Sequence, residues 1–215
     1  MIHMANSKKI GVLAFQGDVI EHINAIKQAA KNLDLNCEIT EVRTKKQLAG
    51  LDAIILPGGE STVLQKLCER AGFFEDIKKI RNIFGTCAGT VMLAKSINNK
   101  EIGQKTLGLM DMELDRNAYG RQTESFEQDV EVFLETSTDV TKGHTDVETN
   151  FGKMHAIFIR APKIRYIGKE VKILAKNGNE IIACEQRVNG NYYLAATFHP
   201  ELTTTLFHDY FLSQI

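Results

Sequence analysis

Four short runs of almost wholly apolar residues, each closed within two positions by glycine or proline, constrain this chain more than any other feature. They fall at 9–15, 53–56, 82–85 and 192–198. The first is apolar on both alternating sets of side chains, the pattern of a strand covered on both faces rather than one facing water. Between the first three lie segments of a different period. Val19, Ile23, Ile26, Ala30 and Leu33 recur at helical spacing after Asp18, which the pattern makes an N-cap. Residues 37–42 alternate as a further strand, 45–49 form a short helix, and 61–71 and 88–95 resume helical spacing. Strand and helix therefore alternate through the first half, which predicts a parallel sheet with helices on both faces.

The character changes after about Gly103. Segments 107–114, 130–134, 156–159, 171–175, 181–184 and 192–198 are short and rich in β-branched and apolar residues. Asn177-Gly178-Asn179 and Asn189-Gly190-Asn191 separate some of them with hairpin chemistry. The sequence thus predicts added antiparallel strands in the second half, a polar, exposed and mobile loop at 136–153, and a final helix from 203 or 204 to 212. Residues 1–8 read as an N-terminal tail, with Met1 to His3 left out of the argument, and 9–215 as a single domain, a size at which one core is the default.

With a formal net charge of -1, the chain lacks the basic surplus of a nucleic-acid binder. No apolar run approaches the roughly 20 residues of a membrane span, and MIHMANSKK has no apolar signal-peptide core, so the expected location is cytoplasmic. The 4 cysteines (37, 68, 87 and 184) are widely spaced without a CxxC pair, which argues against a zinc ribbon or a thioredoxin-type site. Four free thiols are expected.

One of them has distinctive neighbours. Gly85-Thr86-Cys87-Ala88-Gly89 is a G-x-C-x-G at a strand-to-helix junction, the thiol counterpart of a nucleophile elbow. The following helix start favours the thiolate. The same five residues also fit a core cysteine beside glycines used only for packing. Cys37, Cys68 and Cys184 lack flanking glycines and read as small hydrophobes. A thiol nucleophile needs a base, and His199-Pro200-Glu201 ends an apolar run where proline forces the chain out of the sheet. Glu201 could fix the imidazole tautomer, although an isolated H-P-E also fits a strand-end histidine with a solvated carboxylate. His22 and His208 read as surface or interface groups on helices, and His155 as preceding a strand without an acidic neighbour. Pro57-Gly58-Gly59-Glu60-Ser61-Thr62 offers free N–H groups for an oxyanion or an anion. A turn with Ser61 as helix N-cap fits it as well. No nucleotide-binding glycine motif is present.

Taken in order, the glycine loop, cysteine elbow and His-x-Glu resemble class I glutamine amidotransferases. One branch is closer. Gly11 to Gly17 followed by Glu21-His22, PGGEST at 57–62, FGTCAG at 84–89, RNAYGRQ at 116–122 running into Ser125-Phe126-Glu127, FIRAP at 158–162 and FHPELT at 198–203 resemble the glutaminase subunits of pyridoxal phosphate synthase over nearly the whole chain. The resemblance implies a three-layer α/β/α, flavodoxin-like fold and a Cys87–His199–Glu201 triad. It implies glutamine contacts at Gly59, Glu60, Ser61, Arg116, Ile159 and Arg160, and oxyanion donors at the Gly59 and Ala88 N–H groups. Gln16 resembles a residue that orders the site when a partner docks. Two departures stand out: Thr90 replaces a more usual apolar residue, and 136–153 looks long.

The resemblance further implies hydrolysis of L-glutamine to glutamate and ammonia through a thioester, without a metal or cofactor. The ammonia would pass to a (β/α)8-barrel synthase subunit in a hetero-oligomer. Other readings of the same residues are a different amidotransferase subunit, a γ-glutamyl hydrolase, or a non-enzymatic regulatory domain.

Overall fold

In chain order, the computed structural model contains β1 (Lys8–Leu13), α1 (Val19–Asn32), β2 (Cys37–Val42), a 3-10 turn (Lys45–Leu48), β3 (Ala53–Leu56), α2 (Ser61–Arg70), α3 (Phe74–Ile77), β4 (Asn82–Thr86) and α4 (Ala88–Leu93). There follow β5 (Ala94–Ile97), β6 (Met110–Asp115), β7 (Ser125–Thr136), β8 (Glu148–Ile159), β9 (Lys163–Ile167), β10 (Val171–Asn177), β11 (Glu180–Val188), β12 (Asn191–Ala196), a second 3-10 turn (Pro200–Leu202) and α5 (Leu206–Ser213). The structure describes residues 7–119, 125–136 and 148–215.

Among these residues nine strands form one sheet in the order β2-β1-β3-β4-β12-β11-β10-β7-β8. The first five are mutually parallel, and every later pairing is antiparallel. The predicted division into a parallel first half and an antiparallel extension is therefore observed, with β12 returning to complete the parallel part. A second, three-stranded sheet (β5-β6-β9) lies apart.

The apolar strands are buried on both faces because each alternate set of side chains meets its own layer. Ile10, Val12, Ile55, Phe84 and Leu194 pack with Ile26 and Ala29 of α1 and with Phe207 and Phe211 of α5. Leu13, Ile54, Leu56, Ile83 and Ala195 pack with Leu64 of α2, Val91 and Met92 of α4, and Met110 and Met112 of the small sheet. Each fully buried aliphatic or aromatic side chain contributes about 1.5–3 kcal/mol of transfer free energy, so the two-sided strands anchor the three layers.

The β4–α4 junction explains its glycines. A Cβ at Gly89 would lie 1.9 Å from the Leu56 carbonyl oxygen, and one at Gly85 would lie 2.6 Å from the Gly89 carbonyl. Only bare backbone lets α4 start this close to β3. Thr90 is fully buried with its hydroxyl 2.8 Å from the Gly85 carbonyl and 2.6 Å from the Ala196 carbonyl, its single proton shared between the two. A polar residue in an apolar position is thus tolerated because it ties β4 to β12.

Several expectations are corrected. The region predicted as a loop at 136–153 contains the end of β7 and the start of β8, paired in register from Ser125–Ile159 to Thr136–Glu148; residues 137–147 lie outside the described residues. The hairpin is a strand pair because Val130, Val132 and Leu134 alternate inward against exposed Asp129 and Glu131, with Met154, Ala156 and Phe158 opposite on the same core. Helix α4 stops at Leu93, since Ala94 turns extended (φ -59°, ψ 146°) and pairs with Met110. The last helix begins at Leu206, not 203 or 204, because a 3-10 turn starting at Pro200 intervenes.

Candidate active site

Four strands adjacent in the sheet, β1, β3, β4 and β12, deliver residues to one place from their C-terminal ends, where open α/β sheets bind ligands. The turn after β1 carries Gln16 to Asp18, the turn after β3 carries 57–61, β4 runs into Cys87, and β12 leads to His199. Chain order has scattered these residues; the sheet brings them together.

Cys87 sits at φ 46°, ψ -104°, a left-handed backbone for a residue with a Cβ. Its N–H donates to the Ala196 carbonyl at 2.8 Å, which holds the elbow to β12. Its Sγ is 3.7 Å from the Ile159 carbonyl oxygen. His199 is buried, and its Nδ1–H donates to Glu201 Oε1 at 2.8 Å. Nδ1 is also 3.1 Å from Asp18 Oδ2. The other ring nitrogen, Nε2, is buried with no hydrogen-bond partner among the described residues. Burial opposes charge on this imidazole, but Asp18, Cys87 and Glu201 together outweigh it and raise its pKa to about 12.

Behind Glu201 lies a pair of histidines. His22 and His208, expected at the surface, are both completely buried. They are buried because α1 and α5 pack against the same sheet face and turn these side chains toward each other. His22 Nδ1 is 2.9 Å from His208 Nε2. His22 Nε2 is 3.1 Å from Thr86 Oγ1 and 3.5 Å from Glu201 Oε1. Burial drives the His22 pKa far down and that of His208 to about 3, so both are neutral at pH 7. The tautomers follow from the partners. If His208 Nε2–H donates to His22 Nδ1, then His22 Nε2–H points at Thr86 and the Glu201 carboxylate. That leaves only an acceptor, His208 Nδ1, without a partner. The reverse assignment would bury an unpaired N–H and aim a lone pair at a carboxylate, which costs more.

The pocket in front of Cys87 has a volume of about 240 Å³, below the range typical of drug-sized ligands and suited to a small, amino-acid-sized one. Gly59, Glu60, Ser61, Cys87, Ala88, Arg116, Ile159, Arg160 and His199 all line it. Ala88 N–H opens α4 and has no intrahelical acceptor. Gly59 has φ +119°, and a Cβ there would lie 2.8 Å from the Gln16 side chain. Gln16 donates from Nε2 to the Glu60 carbonyl at 2.7 Å. Arg116 is buried, its Nη1 donating to Gln104 Oε1 at 2.8 Å and its Nη2 to Glu60 Oε1 at 3.1 Å and Glu101 Oε1 at 3.0 Å. Burial works against the Glu60 carboxylate, yet hydrogen bonds from Thr62 and Val63 and the Arg116 charge hold its pKa below the ordinary value.

Among the described residues, only Asp18, His199 and Glu201 bring three possible metal-ligand atoms within 4.8 Å of one another, and those atoms already contact each other as hydrogen-bond or ion-pair partners.

The profile of the SNO glutamine amidotransferase family matches residues 12–215. The chain belongs to this family. It is 40% identical over 213 residues to the pyridoxal 5'-phosphate synthase subunit PdxT of Pyrococcus horikoshii, covering 96% of this chain and 99% of that protein. It is 42% identical over 212 residues to the PdxT subunit of Niallia circulans, covering 96% and 97%. A crystal structure of a glutamine amidotransferase superimposes with a TM-score of 0.73 at 41% identity, covering 95% of this chain and 97% of that one.

Seen as a member of this family, the chain gathers the candidate triad, glutamine-contact and oxyanion residues and Gln16 around one pocket. Glu201 stands behind His199 and Gln16 behind Gly59; the others line the cavity. Arg121 and Gln122 of the RNAYGRQ string lie outside the described residues. The cap assignments change. Glu60, not Ser61, caps α2, its carboxylate accepting from the Thr62 and Val63 N–H groups, while Ser61 Oγ accepts from Gln104 Nε2 at 3.0 Å. Asp18 occupies the α1 N-cap position but makes no cap bond, because its carboxylate turns to His199. His155 lies within β8 and contacts Glu127 (2.9 Å) and Asp129 (3.2 Å), acidic neighbours supplied across the strand pair. Burial raises the pKa of Cys37, and pushes those of Cys68 and Cys184 to about 12, in keeping with a packing role. Sequence reasoning missed Asp18, Glu101 and Gln104. The pattern E-x-x-Q at 101–104, in a polar turn, carried no local sign that it would face an arginine.

No helix among the described residues is long and apolar enough to cross a membrane.

Proposed function

We propose that this chain is the glutaminase subunit of a pyridoxal 5'-phosphate synthase, in which a domain spanning 9–215 hydrolyses L-glutamine and passes ammonia to a (β/α)8-barrel partner. The observation that carries the reading is the state of His199: one nitrogen bonded to Glu201, the other buried and unpaired in a pocket shared with Cys87 on its elbow. The partner is supported by relatives that cover almost the whole chain and are named as subunits of that synthase.

Arg116 would take the glutamine α-carboxylate, with Glu60 and the Ser61 region framing the amino-acid end and Ile159 and Arg160 the opposite wall. Cys87 Sγ would attack the side-chain amide carbon, and its oxygen would take negative charge facing the Gly59 and Ala88 N–H groups. His199 Nε2, holding the thiol proton, would give it to the departing nitrogen as the C–N bond breaks, leaving a γ-glutamyl thioester and ammonia. The same nitrogen would then take a proton from water as its oxygen attacks the thioester. Glutamate leaves and the thiolate returns. Glu201 would keep the ring in the tautomer both steps need. The proposed steps draw only on side chains, backbone N–H groups and water.

The test is ammonia release from glutamine by the subunit with its purified synthase, for the native chain and Cys87→Ala. The variant should lose glutamine hydrolysis, while pyridoxal phosphate synthesis from added ammonium salt by the same complex persists. Residual turnover at the native rate would refute the nucleophile. Turnover of γ-glutamyl peptides in preference to glutamine would refute the substrate.

A further inference from the structure

His199 is contacted by two carboxylates, and the proposed chemistry assigns a role to only one. Glu201 accepts the Nδ1–H from within the protein, its side chain wholly excluded from water. Asp18 Oδ2 approaches the same nitrogen at 3.1 Å from the mouth of the pocket, its side chain 35% exposed. The two sites differ electrostatically. Desolvation raises the pKa of Glu201 in spite of its histidine, whereas contact with His199 holds that of Asp18 below the ordinary value in spite of partial burial. Asp18 is thus the carboxylate whose negative charge is maintained most easily.

The position of Asp18 is built by several contacts. Gly17 adopts φ +83°, and a Cβ there would lie 2.3 Å from the Gly58 carbonyl oxygen, so the turn after β1 lies directly on the turn after β3. Gln16 is bonded to the Glu60 carbonyl on the same side. The N-cap site gives Asp18 no competing bond, since its side chain makes none to the helix.

We infer that Asp18 is a positioning residue for the proposed glutaminase reaction: from the pocket mouth its carboxylate pairs with His199 Nδ1 beside Glu201, fixing the ring and strengthening its hold on a proton. Other charged groups around the ring do not replace it. Cys87 shares the pocket with the ring and also favours its charged form. His22, behind Glu201, and His208 beyond it are neutral. Across the pocket Glu60 and Arg116 are paired with each other, and Arg160 stands at the wall. This inference rests on the glutaminase reading for its kinetic consequence but not for its physical one.

The test uses the full-length chain with ¹⁵N-labelled histidine, its His199 resonances assigned by their loss in His199→Gln. A neutral-to-alkaline titration follows the ring in the native protein, Asp18→Asn and Asp18→Glu. In Asp18→Asn the ring should lose its proton about one pH unit lower than in the native protein, the smaller end of what a nearby opposite charge does, given the exposure of Asp18. Asp18→Glu should restore most of the difference. With the synthase present, the alkaline limb of kcat/KM for glutamine should move down by the same interval. An unchanged midpoint in Asp18→Asn overturns the inference, as does an equal fall in Asp18→Glu. If glutamine proves not to be a substrate, the NMR midpoint still decides the role of Asp18.

Discussion

Gly58 offers a direct measure of how tightly His199 must be held. It contributes no side chain to the pocket, yet a Cβ built on it would lie 2.5 Å from His199 Cε1 and 3.3 Å from Nδ1. Ordinary contact begins near 3.4 Å, so Gly58→Ala forces about 0.9 Å of displacement between the methyl group and the ring. The backbone at 58 is not among the positive-φ positions, so alanine adds no dihedral strain there. The ring cannot absorb the shift freely, because its Nδ1 is tied to Glu201 at 2.8 Å and to Asp18 at 3.1 Å. A displacement near 1 Å in a catalytic group costs on the order of 10²-fold in rate, or about 2.7 kcal/mol of barrier. Gly58→Ala should therefore lower kcat for glutamine by about two orders of magnitude in the complex with synthase. Thermal unfolding should change little, and synthesis from ammonium salt should persist. A kcat within a few-fold of native would refute the claim that backbone contact at 58 positions the imidazole. A collapse of thermal stability would refute the claim that the clash is borne by the ring alone.

The buried polar groups carry two further expected outcomes. Because His22 and His208 are neutral in the folded chain and would charge below about pH 6.5 once unfolded, folding stability should fall as pH drops from 6.5 toward the His208 value of about 3. Each contributes a slope of up to about 1.4 kcal/mol per pH unit; His199, whose pKa is raised, acts in the opposite sense, losing its contribution only as pH rises above 6.5. Urea unfolding of His208→Leu between pH 6 and 5 should show a visibly shallower slope than native, and an identical slope would contradict the buried-neutral assignment. Gln104 links Arg116 to Ser61 without lining the pocket, so Gln104→Leu should raise KM for glutamine several-fold with kcat nearly kept. A loss confined to kcat would mean that Gln104 serves the chemical steps instead.

The parallel half of the sheet was legible because its strands are apolar on both faces, a property carried by consecutive residues. Cys87 was legible for a related reason: its glycines are local, and the structure gives each a specific backbone neighbour in β3 or α4. The readings that failed were those in which a local rule competed with a distant partner. Asp18 stands where an N-cap should, but an imidazole 181 positions later is the better partner for a carboxylate. His22 and His208 each obey the pattern of a helix surface histidine until α1 and α5 meet. Segments 130–134 and 156–159 of β7 and β8 were legible as strands, but the ends of the pair at 136 and 148–153 were read as loop because those residues are mostly polar, and their register depends on a facing strand rather than on their own composition.

The first turn of α1 brings these failures into one account. Asp18 and His22 are four residues apart, and the His22 N–H donates to the Asp18 carbonyl at 3.0 Å, so their side chains lie on one face about 5–6 Å apart at Cβ. That span brackets the His199–Glu201 pair. Asp18 reaches the imidazole from the wet side, and His22 reaches the carboxylate from the dry side. A neutral His22 lies 3.5 Å from Glu201 Oε1 without cancelling its charge, so among the described residues His199 is left as the cationic partner of that carboxylate. A lysine at 22 would instead compete for the same carboxylate and release the ring. The contact of His22 with His208 fixes this turn against α5, which makes the distance between the two bracketing groups a property of helix packing rather than of a loop. The imidazole is therefore positioned by one helical turn on two sides and by the Gly58 backbone on a third, leaving Nε2 as the ring nitrogen free to exchange protons with a substrate.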